Sequence, residues 1–348
     1  MKGFSNKFKI GDLEISIDKS PLIVAEISGN HSKDINKAYK MLRILKDIGV
    51  SAVKIQSYRP YDITLPGIFK INDKKSIWAK RDLYSLFEEG TLSYENQKKL
   101  IEFSRKIGLE LFSSPFSISN VDFLLDNNIN AFKIASFESN HYPMLKKIAQ
   151  SKKPVILSTG VSNYKQIKNT LKFLYDNGTR KCVVLKTTSS YPADPKNSNI
   201  NTITYLKNNL NIPVGISDHT KGIGSSIASI SLGACIIEKH FTLDKNDGAL
   251  DSSFSLEPDE FKSLVEESKI AFESLGKVNF EVPKKNLLFK RSIYTAKDLK
   301  KGQEITKDNI QVIRPFLGID SAKYYKIIGK KVKLDLDANQ PLKEEYLL

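Results

Sequence analysis

Two histidines stand where apolar runs end: His219 closes PVGISDH (213–219) and His240 lies in CIIEKHF (235–241). The chain has only four histidines. If these runs are neighbouring parallel strands, about 4.8 Å apart, the imidazoles stand at matching heights. Two nitrogen ligands with open positions suit a divalent cation such as Mn²⁺, completed by water and a substrate oxygen. The same pair without a metal would act as acid/base and hydrogen-bond donors. Three lysines occupy similar run ends: Lys54, Lys133 and Lys186. With the hydroxyls of Ser136, Ser158, Ser189 and Ser217 they suit a small anion bearing phosphate and carboxylate, because ammonium supplies point charge and hydroxyl supplies oriented donors. Glu26, Gln56, Ser114, Glu138, Asp218 and Glu238 end other runs or follow them. A charge inside an apolar strand is costly unless paired or liganded. A single such lysine reads equally well as a paired core residue, but the same pattern at every run end reads as one mouth. His31, in SGNHSKD, is read as structural or capping at a helix start, and His141, in the loop SNHYP, is given no catalytic role.

These groups need a scaffold. The runs are LIVAEI (22–27), AVKIQSY (52–58), LELFSSP (109–115), AFKIAS (131–136), PVILSTG (154–160), CVVLKTT (182–188), PVGISDH and CIIEKHF. Between them lie amphipathic patterns such as NKAYKMLRILKDIG (36–49) and NQKKLIEFSRKIG (96–108), apolar at three- and four-residue spacing and closed by Gly. Eight alternations predict an α/β fold, a closed (β/α)₈ barrel whose active face is at the C-terminal strand ends. The segment from Arg59 to about Ser93 is longer than a βα loop needs and is read as a lid or specificity element. GIGSS (222–226) is read as a loop entering a helix rather than a phosphate loop. Residues 1–276 are assigned to the barrel with an N-terminal extension, 277–290 to a linker and 291–348 to a small, mainly β domain.

Composition excludes some classes. No run of 18 apolar residues exists, so no membrane span is expected. MKGFSNKFKIGDLEI lacks a continuous apolar stretch and a small-residue cleavage site, so no secretory signal is expected. Cys182 and Cys235 are the only cysteines and read as buried thiols of a cytoplasmic protein. The net charge is +15, but the lysines are spread along the chain with no nucleic-acid motif. They read as solvated faces, with steering of an anionic substrate second.

The run ends also resemble a known family. AEISGNH (25–31), VKIQSY (53–58), FSSPFS (112–117), FKIASFESN (132–140), ILSTG (156–160), SYPA (190–193), GISDHT (215–220) and EKHFTLD (238–244), followed by Asp251, are similar in kind and order to the sialic acid synthases. RSIYTAKDLKKGQEIT (291–306) and IRP (313–315) resemble the antifreeze-like (SAF) domain of those enzymes. Within the family, SIWAKRDLYSLFEEG (76–90), KIASFESN (133–140) and DSSFSLEPDEF (251–261) are more similar to the pseudaminate-type members. Ser189 stands where neuraminate-type members carry Asn, and Thr187 where Cys is usual. The resemblance implies condensation of phosphoenolpyruvate with an N-acylated amino sugar, with C–O cleavage and phosphate release. It implies that Lys54, Ser114, Lys133, Ser136, Ser158, Ser189 and Ser217 hold phosphoenolpyruvate. Gln56, Glu138, Tyr191, Asp251 and Arg314 would contact the sugar, the last from a neighbouring subunit of a domain-swapped homodimer. His219 and His240 would ligate Mn²⁺, Mg²⁺ or Co²⁺. Glu26 would be a carboxylate at the reacting centre, as base or as stabiliser, with His240 also catalytic. Trp78, Arg81 and Tyr84 are assigned to the lid of the sugar pocket, Trp78 reading equally as an apolar anchor.

Two readings of other classes compete. A Schiff-base aldolase of the same barrel type would use Lys133 or Lys186. A carbohydrate- or ice-binding module would rest on the C-terminal domain alone.

Overall fold

The computed structural model describes residues 3–74 and 76–348. They form two compact units, Met1–Gly276 and Lys277–Leu348.

The first unit opens with a hairpin of β1 (Phe8–Ile10) and β2 (Leu13–Ile15). Strands β3 (Leu22–Glu26), β4 (Ala52–Ser57), β5 (Glu110–Pro115), β6 (Phe132–Ile134), β7 (Val155–Ser158), β8 (Cys182–Thr187), β9 (Val214–Asp218) and β10 (Ile236–His240) follow. They close into a parallel barrel in chain order, with β10 pairing back onto β3. The helices are α1 (Ile35–Ile48), α2 (Leu83–Gly90), α3 (Tyr94–Lys106), α4 (Ile118–Asp126), α5 (Tyr142–Gln150), α6 (Tyr164–Asp176), α7 (Thr202–Leu210), α8 (Gly224–Ser231) and α9 (Pro258–Leu275). The strands are apolar on both faces because one face fills the barrel and the other meets the helices. Phe112, Phe132, Leu185, Ile236 and Ile237 are all fully or nearly fully buried.

The helices start and stop on local signals. Asp34 caps α1, its carboxylate accepting from the Asn36 backbone N–H at 2.8 Å. Gly49 ends the helix at φ 86°, a left-handed conformation that costs glycine little. Ala38, Met41, Leu42 and Leu45 form its buried face. The N-cap is therefore Asp34 and not His31, which precedes the helix in a turn. There His31 is buried and its Nδ1 accepts from the Lys33 N–H at 3.1 Å. His141 takes the role expected of His31: it is the N-cap of α5, its Nδ1 accepting from the Met144 N–H at 3.4 Å.

The N-terminal hairpin closes the end of the barrel away from the polar mouth. Ile10 and Ile15 join the barrel core, and the Ser5 N–H donates to the Arg180 carbonyl at 2.9 Å. Its turn glycine, Gly11, lies against Glu110 and Asn130, at and just before the starts of β5 and β6. A Cβ there would meet the Glu110 carboxylate at 2.1 Å.

The second unit has a helical turn α10 (Lys284–Leu287), an antiparallel pair β11 (Ser292–Thr295) and β12 (Ile310–Ile313), and a short α11 (Tyr324–Ile327). Isolated bridges, among them Leu299 to Leu336 and Val332 to Leu347, extend the β character. Its own core comprises Ile293, Leu299, Ile305, Ile310, Ile319, Ile327, Val332, Leu336, Leu342 and Leu347. Among the described residues no helix is long and apolar enough to cross a membrane.

Candidate active site

Register brings the charged strand ends together. His240, Glu26 and Lys54 are Cα partners across β10, β3 and β4. Thr187, Ser217 and Glu238 are partners across β8, β9 and β10. The centre is a buried network of two ammonium groups and two carboxylates. Lys54 Nζ contacts Glu26 Oε2 and lies 3.3 Å from Glu238 Oε1, and Lys133 Nζ lies 3.4 Å from the same oxygen. Ser217 donates to that oxygen at 3.0 Å. Glu26 Oε1 accepts from the Ser28 N–H at 2.6 Å. Burial opposes the charge on Lys54, but Glu238 and Glu26 outweigh it and hold the ammonium above the ordinary lysine range. Lys133 goes the other way: burial, with the nearby Lys54 charge, outweighs Glu238 and lowers it to about 8. Glu238 is held well below the usual carboxylate range because the fields of Lys133 and Lys54 overcome its desolvation.

Hydroxyls line the next arc. Ser136 accepts from the Gly160 N–H at 3.0 Å, and Thr187 donates to Ser158 at 3.2 Å. Ser114 Oγ, Ser189 Oγ and Glu238 Oε2 are buried without a hydrogen-bond partner. An orphaned buried polar atom costs about 1–3 kcal/mol, so these atoms are hydrogen-bonding groups left open to a polar partner from outside the chain. Gly160 shapes that space. A Cβ on it would meet Ser189 Oγ at 2.1 Å and Ser136 Oγ at 2.9 Å. Gly160→Ala is therefore expected to weaken the anionic substrate's KM by roughly a hundredfold while the protein stays folded, as read by steady-state kinetics beside a thermal melt.

The two imidazoles flank this network. His219 follows β9 and His240 ends β10, with ring centroids 5.3 Å apart. The His219 Nδ1 lies 2.9 Å from the Thr188 carbonyl, so that nitrogen carries the proton and Nε2 offers a lone pair. Burial, reinforced by His240, lowers His219 to about 3 and keeps it neutral, the form that binds metals. His240 Nδ1 lies 3.4 Å from Asp251 Oδ2 without an aligned hydrogen bond. Among the described residues no set of three or more His, Cys, Asp or Glu converges on one point. The donors present fit a cation held by two nitrogens and completed from outside the chain.

The remaining residues surround these. Gln56 donates to Ser28 Oγ at 3.1 Å beside Glu26. Tyr191 packs on His219, with centroids 4.3 Å apart, and Trp78 packs on Tyr191 at 5.5 Å. The Trp78 indole N–H donates to the Leu250 carbonyl at 3.1 Å, next to Asp251, which anchors the segment that carries it. Burial raises the half-buried Glu138 carboxyl to about 7.

Other expected members have different partners within their own units. Lys186, grouped with Lys54 and Lys133 from the sequence, instead donates to Thr188 Oγ1. It precedes the inward Thr187 by one residue, and strand side chains alternate faces. Arg81 ion-pairs with Glu89, and Tyr84 packs on Tyr61. Arg81 lines a cleft of about 480 Å³ with Gly29, Lys33, Glu88 and Leu250, the last of these next to Asp251. Arg314 belongs to the second unit, where its Nε–H donates to the Phe289 carbonyl.

The sequence places Glu238 at the mouth without a specific role and gives none to Asn30. Glu238 ends a run, but that two lysines from different strands share its carboxylate shows only in the strand register. Asn30, fully buried, ties the Phe241 carbonyl (2.8 Å), Ser255 (2.9 Å) and the Asp251 N–H (3.1 Å) together, and nothing in its sequence setting signalled that.

Residues 41–280 match the model of the NeuB family, and residues 290–347 match the SAF domain. A pseudaminic acid synthase of Campylobacter jejuni is 36% identical over 336 residues, 94% of this chain and 96% of that protein. An N,N'-diacetyllegionaminic acid synthase of the same species is 35% identical, over 90% of this chain and 96% of that one. A crystal structure of an N-acetylneuraminic acid synthetase from Leptospira borgpetersenii superposes with a TM-score of 0.71 at 27% identity, covering 82% of this chain and 95% of that one.

Proposed function

The chain belongs to the NeuB family and is a phosphoenolpyruvate-dependent synthase, and from that premise we propose that its product is pseudaminate. The acceptor is then 2,4-diacetamido-2,4,6-trideoxy-L-altrose, condensed with phosphoenolpyruvate and water to release phosphate. Membership removes the Schiff-base aldolase and the ice-binding module. The buried Lys54–Glu26–Glu238–Lys133 network, ringed by unpartnered hydroxyls and flanked by two imidazoles, is the observation that supports the reaction.

In this reading Lys54, Lys133, Ser114, Ser136, Ser158, Ser189 and Ser217 bind the phosphate and carboxylate and stabilise their charge as the reaction proceeds. His219 and His240 hold a divalent cation, Mn²⁺, Mg²⁺ or Co²⁺, which when bound supplies Lewis-acid polarisation of the sugar's aldehyde oxygen. Gln56, Glu138, Tyr191 and Asp251 orient the open-chain sugar so that its carbonyl carbon faces the methylene carbon of phosphoenolpyruvate. The C–C bond forms there, water adds to the enol carbon, and the tetrahedral intermediate loses phosphate by C–O cleavage. Both oxygens of Glu26 are engaged, one by Ser28 and one by Lys54. That favours Glu26 as a compensator of positive charge at the enol carbon over Glu26 as a base. The free thiols Cys182 and Cys235 accord with a cytoplasmic setting.

Substrate binding should move a proton. Free Lys133 titrates near 8, and a multiply charged anion beside it favours the ammonium form. At pH 8 binding of phosphoenolpyruvate is expected to take up as much as about half a proton, falling towards zero by pH 6. Calorimetry in buffers of different ionisation enthalpy measures this, and a heat independent of buffer at pH 8 would refute it.

Arg314 is proposed to cap the sugar's N-acyl group from a neighbouring subunit of a domain-swapped homodimer. Arg314→Ala is expected to raise the sugar's KM at least about tenfold with little change for phosphoenolpyruvate. Equal changes in both would contradict that role. Mixing Arg314→Ala with Lys54→Met protein tests capping between subunits, because regain of activity needs one intact site assembled from both.

Ser189 and the segment 76–90 favour the pseudaminate acceptor, but the legionaminate relative is almost as similar. Mass spectrometry of products from phosphoenolpyruvate with 2-acetamido and 2,4-diacetamido hexoses separates the two. The L-altro diacetamido sugar should give the highest kcat/KM, and preference for another acceptor reassigns the product within the family.

A further inference from the structure

Asp218 and Lys239 form an ion pair whose side chains are only 2% and 1% exposed, and the chemistry above uses neither. They are Cα partners across β9 and β10. Their neighbours Ser217 and Glu238 bond each other inside the barrel, so by alternation the pair lies on the outer face of the strands. There Ser226, on α8, donates to Asp218 Oδ2 at 2.6 Å. Lys239 Nζ donates to the same oxygen at 2.9 Å and to the Thr220 carbonyl. Asp218 Oδ1 accepts from the Thr220 N–H at 2.9 Å and its hydroxyl at 2.8 Å.

A fully buried ion pair is not the most stable way to fill such a space. Apolar residues of similar volume commonly leave stability unchanged or improved. What the pair supplies here is position. His219 is the residue between Asp218 and Thr220, and both ends of that turn are tied to the pair. His240 directly follows Lys239. We infer that Asp218 and Lys239 are positioning residues, a clamp that fixes the turn carrying His219 and cross-links β9 to β10 at the level of the two imidazoles. The clamp touches neither substrate nor cation. It restricts the imidazoles to the narrow range of separation and tilt that two ligands of one ion tolerate, roughly 0.5 Å and 10–20°. This inference rests on the reading that His219 and His240 bind a divalent cation.

The test uses the full chain carrying Asp218→Asn and Lys239→Met together, which removes both charges and leaves neither unpaired. Mn²⁺ is titrated without substrate, and the free ion is read by electron paramagnetic resonance. The variant's Kd is expected to rise about 10- to 100-fold while its circular dichroism spectrum and melting temperature stay near those of the parent. In parallel, protein labelled with ¹⁵N in its histidine rings is compared by NMR. The His219 and His240 signals should move, and those of His31 and His141 should hold. A folded variant with a Kd within twofold of the parent and four unmoved imidazoles overturns the clamp. If the parent protein takes up no Mn²⁺, the cation reading fails, and the imidazole spectra alone decide the clamp. If the double variant does not fold, Ser226→Ala replaces it, because it deletes one bond to Asp218 and leaves the charges paired. About a threefold rise in Kd is then expected, with the same two imidazole signals moving, and no change in either overturns the inference.

Discussion

Lys54→Met is expected to lower kcat/KM by about a thousandfold and the melting temperature of the barrel by about 10 °C. Both effects come from one geometry. The Lys54 ammonium touches Glu26 and lies 3.3 Å from Glu238, and both carboxylates are almost fully buried. Methionine fills most of the volume but leaves two buried anions with a single neighbouring ammonium, that of Lys133. Removing one partner of a buried ion pair costs about 3–5 kcal/mol, because the survivor keeps its desolvation penalty. The catalytic loss is separate: in the proposed reaction the anionic substrate loses the point charge of a buried ammonium. Lys54→Arg should not restore activity, because a planar guanidinium has a different shape and donor pattern from an ammonium. Phosphate-release kinetics and a thermal melt on the same preparations check both effects. Near-parental kcat/KM in Lys54→Met would remove the network from the chemistry.

His240→Ala is expected to reduce turnover by at least about a thousandfold and to reduce bound divalent metal to below about a tenth of the parental content. His240 ends β10 in register with Glu26, its ring 5.3 Å from that of His219 and its Nδ1 facing Asp251. Alanine removes one of the two nitrogen donors and leaves His219 alone. The rival role for the pair, acid/base work without a metal, makes a different forecast: the parent enzyme would keep full activity in excess chelator. Metal analysis by mass spectrometry and assays with and without chelator distinguish the two.

The barrel was legible because its eight strands are short apolar runs with polar ends, repeated in step with amphipathic helices. The N-terminal hairpin was not, because β1 and β2 have three residues each and show too little alternation to read. The mouth was legible in outline because burial forbids unpaired charge, so Glu26, Lys54, Lys133, His219 and His240 could be expected to meet. Which charges share a face was harder to see. Lys186 sits one position from the inward row and turns away, and Lys239 does the same beside Glu238 and His240. Reading alternation strictly from Thr187 and from His240 would have sorted both. The shared role of Glu238 became visible only with the register, which sets one carboxylate between ammonium groups from two different strands. The partner relations of Asn30 depend on loops folding back over 200 residues away, as in its bond to Ser255, and no local pattern encodes them.

In the proposed reaction this buried network condenses phosphoenolpyruvate with an amino sugar by breaking the C–O bond. The most direct test uses phosphoenolpyruvate carrying ¹⁸O in the oxygen bridging carbon and phosphorus, supplied with the L-altro diacetamido hexose and Mn²⁺. Mass spectrometry of both products should find a nine-carbon keto acid without the label and inorganic phosphate with it. Label retained in the keto acid, or no phosphate released with any amino sugar, would contradict the claim.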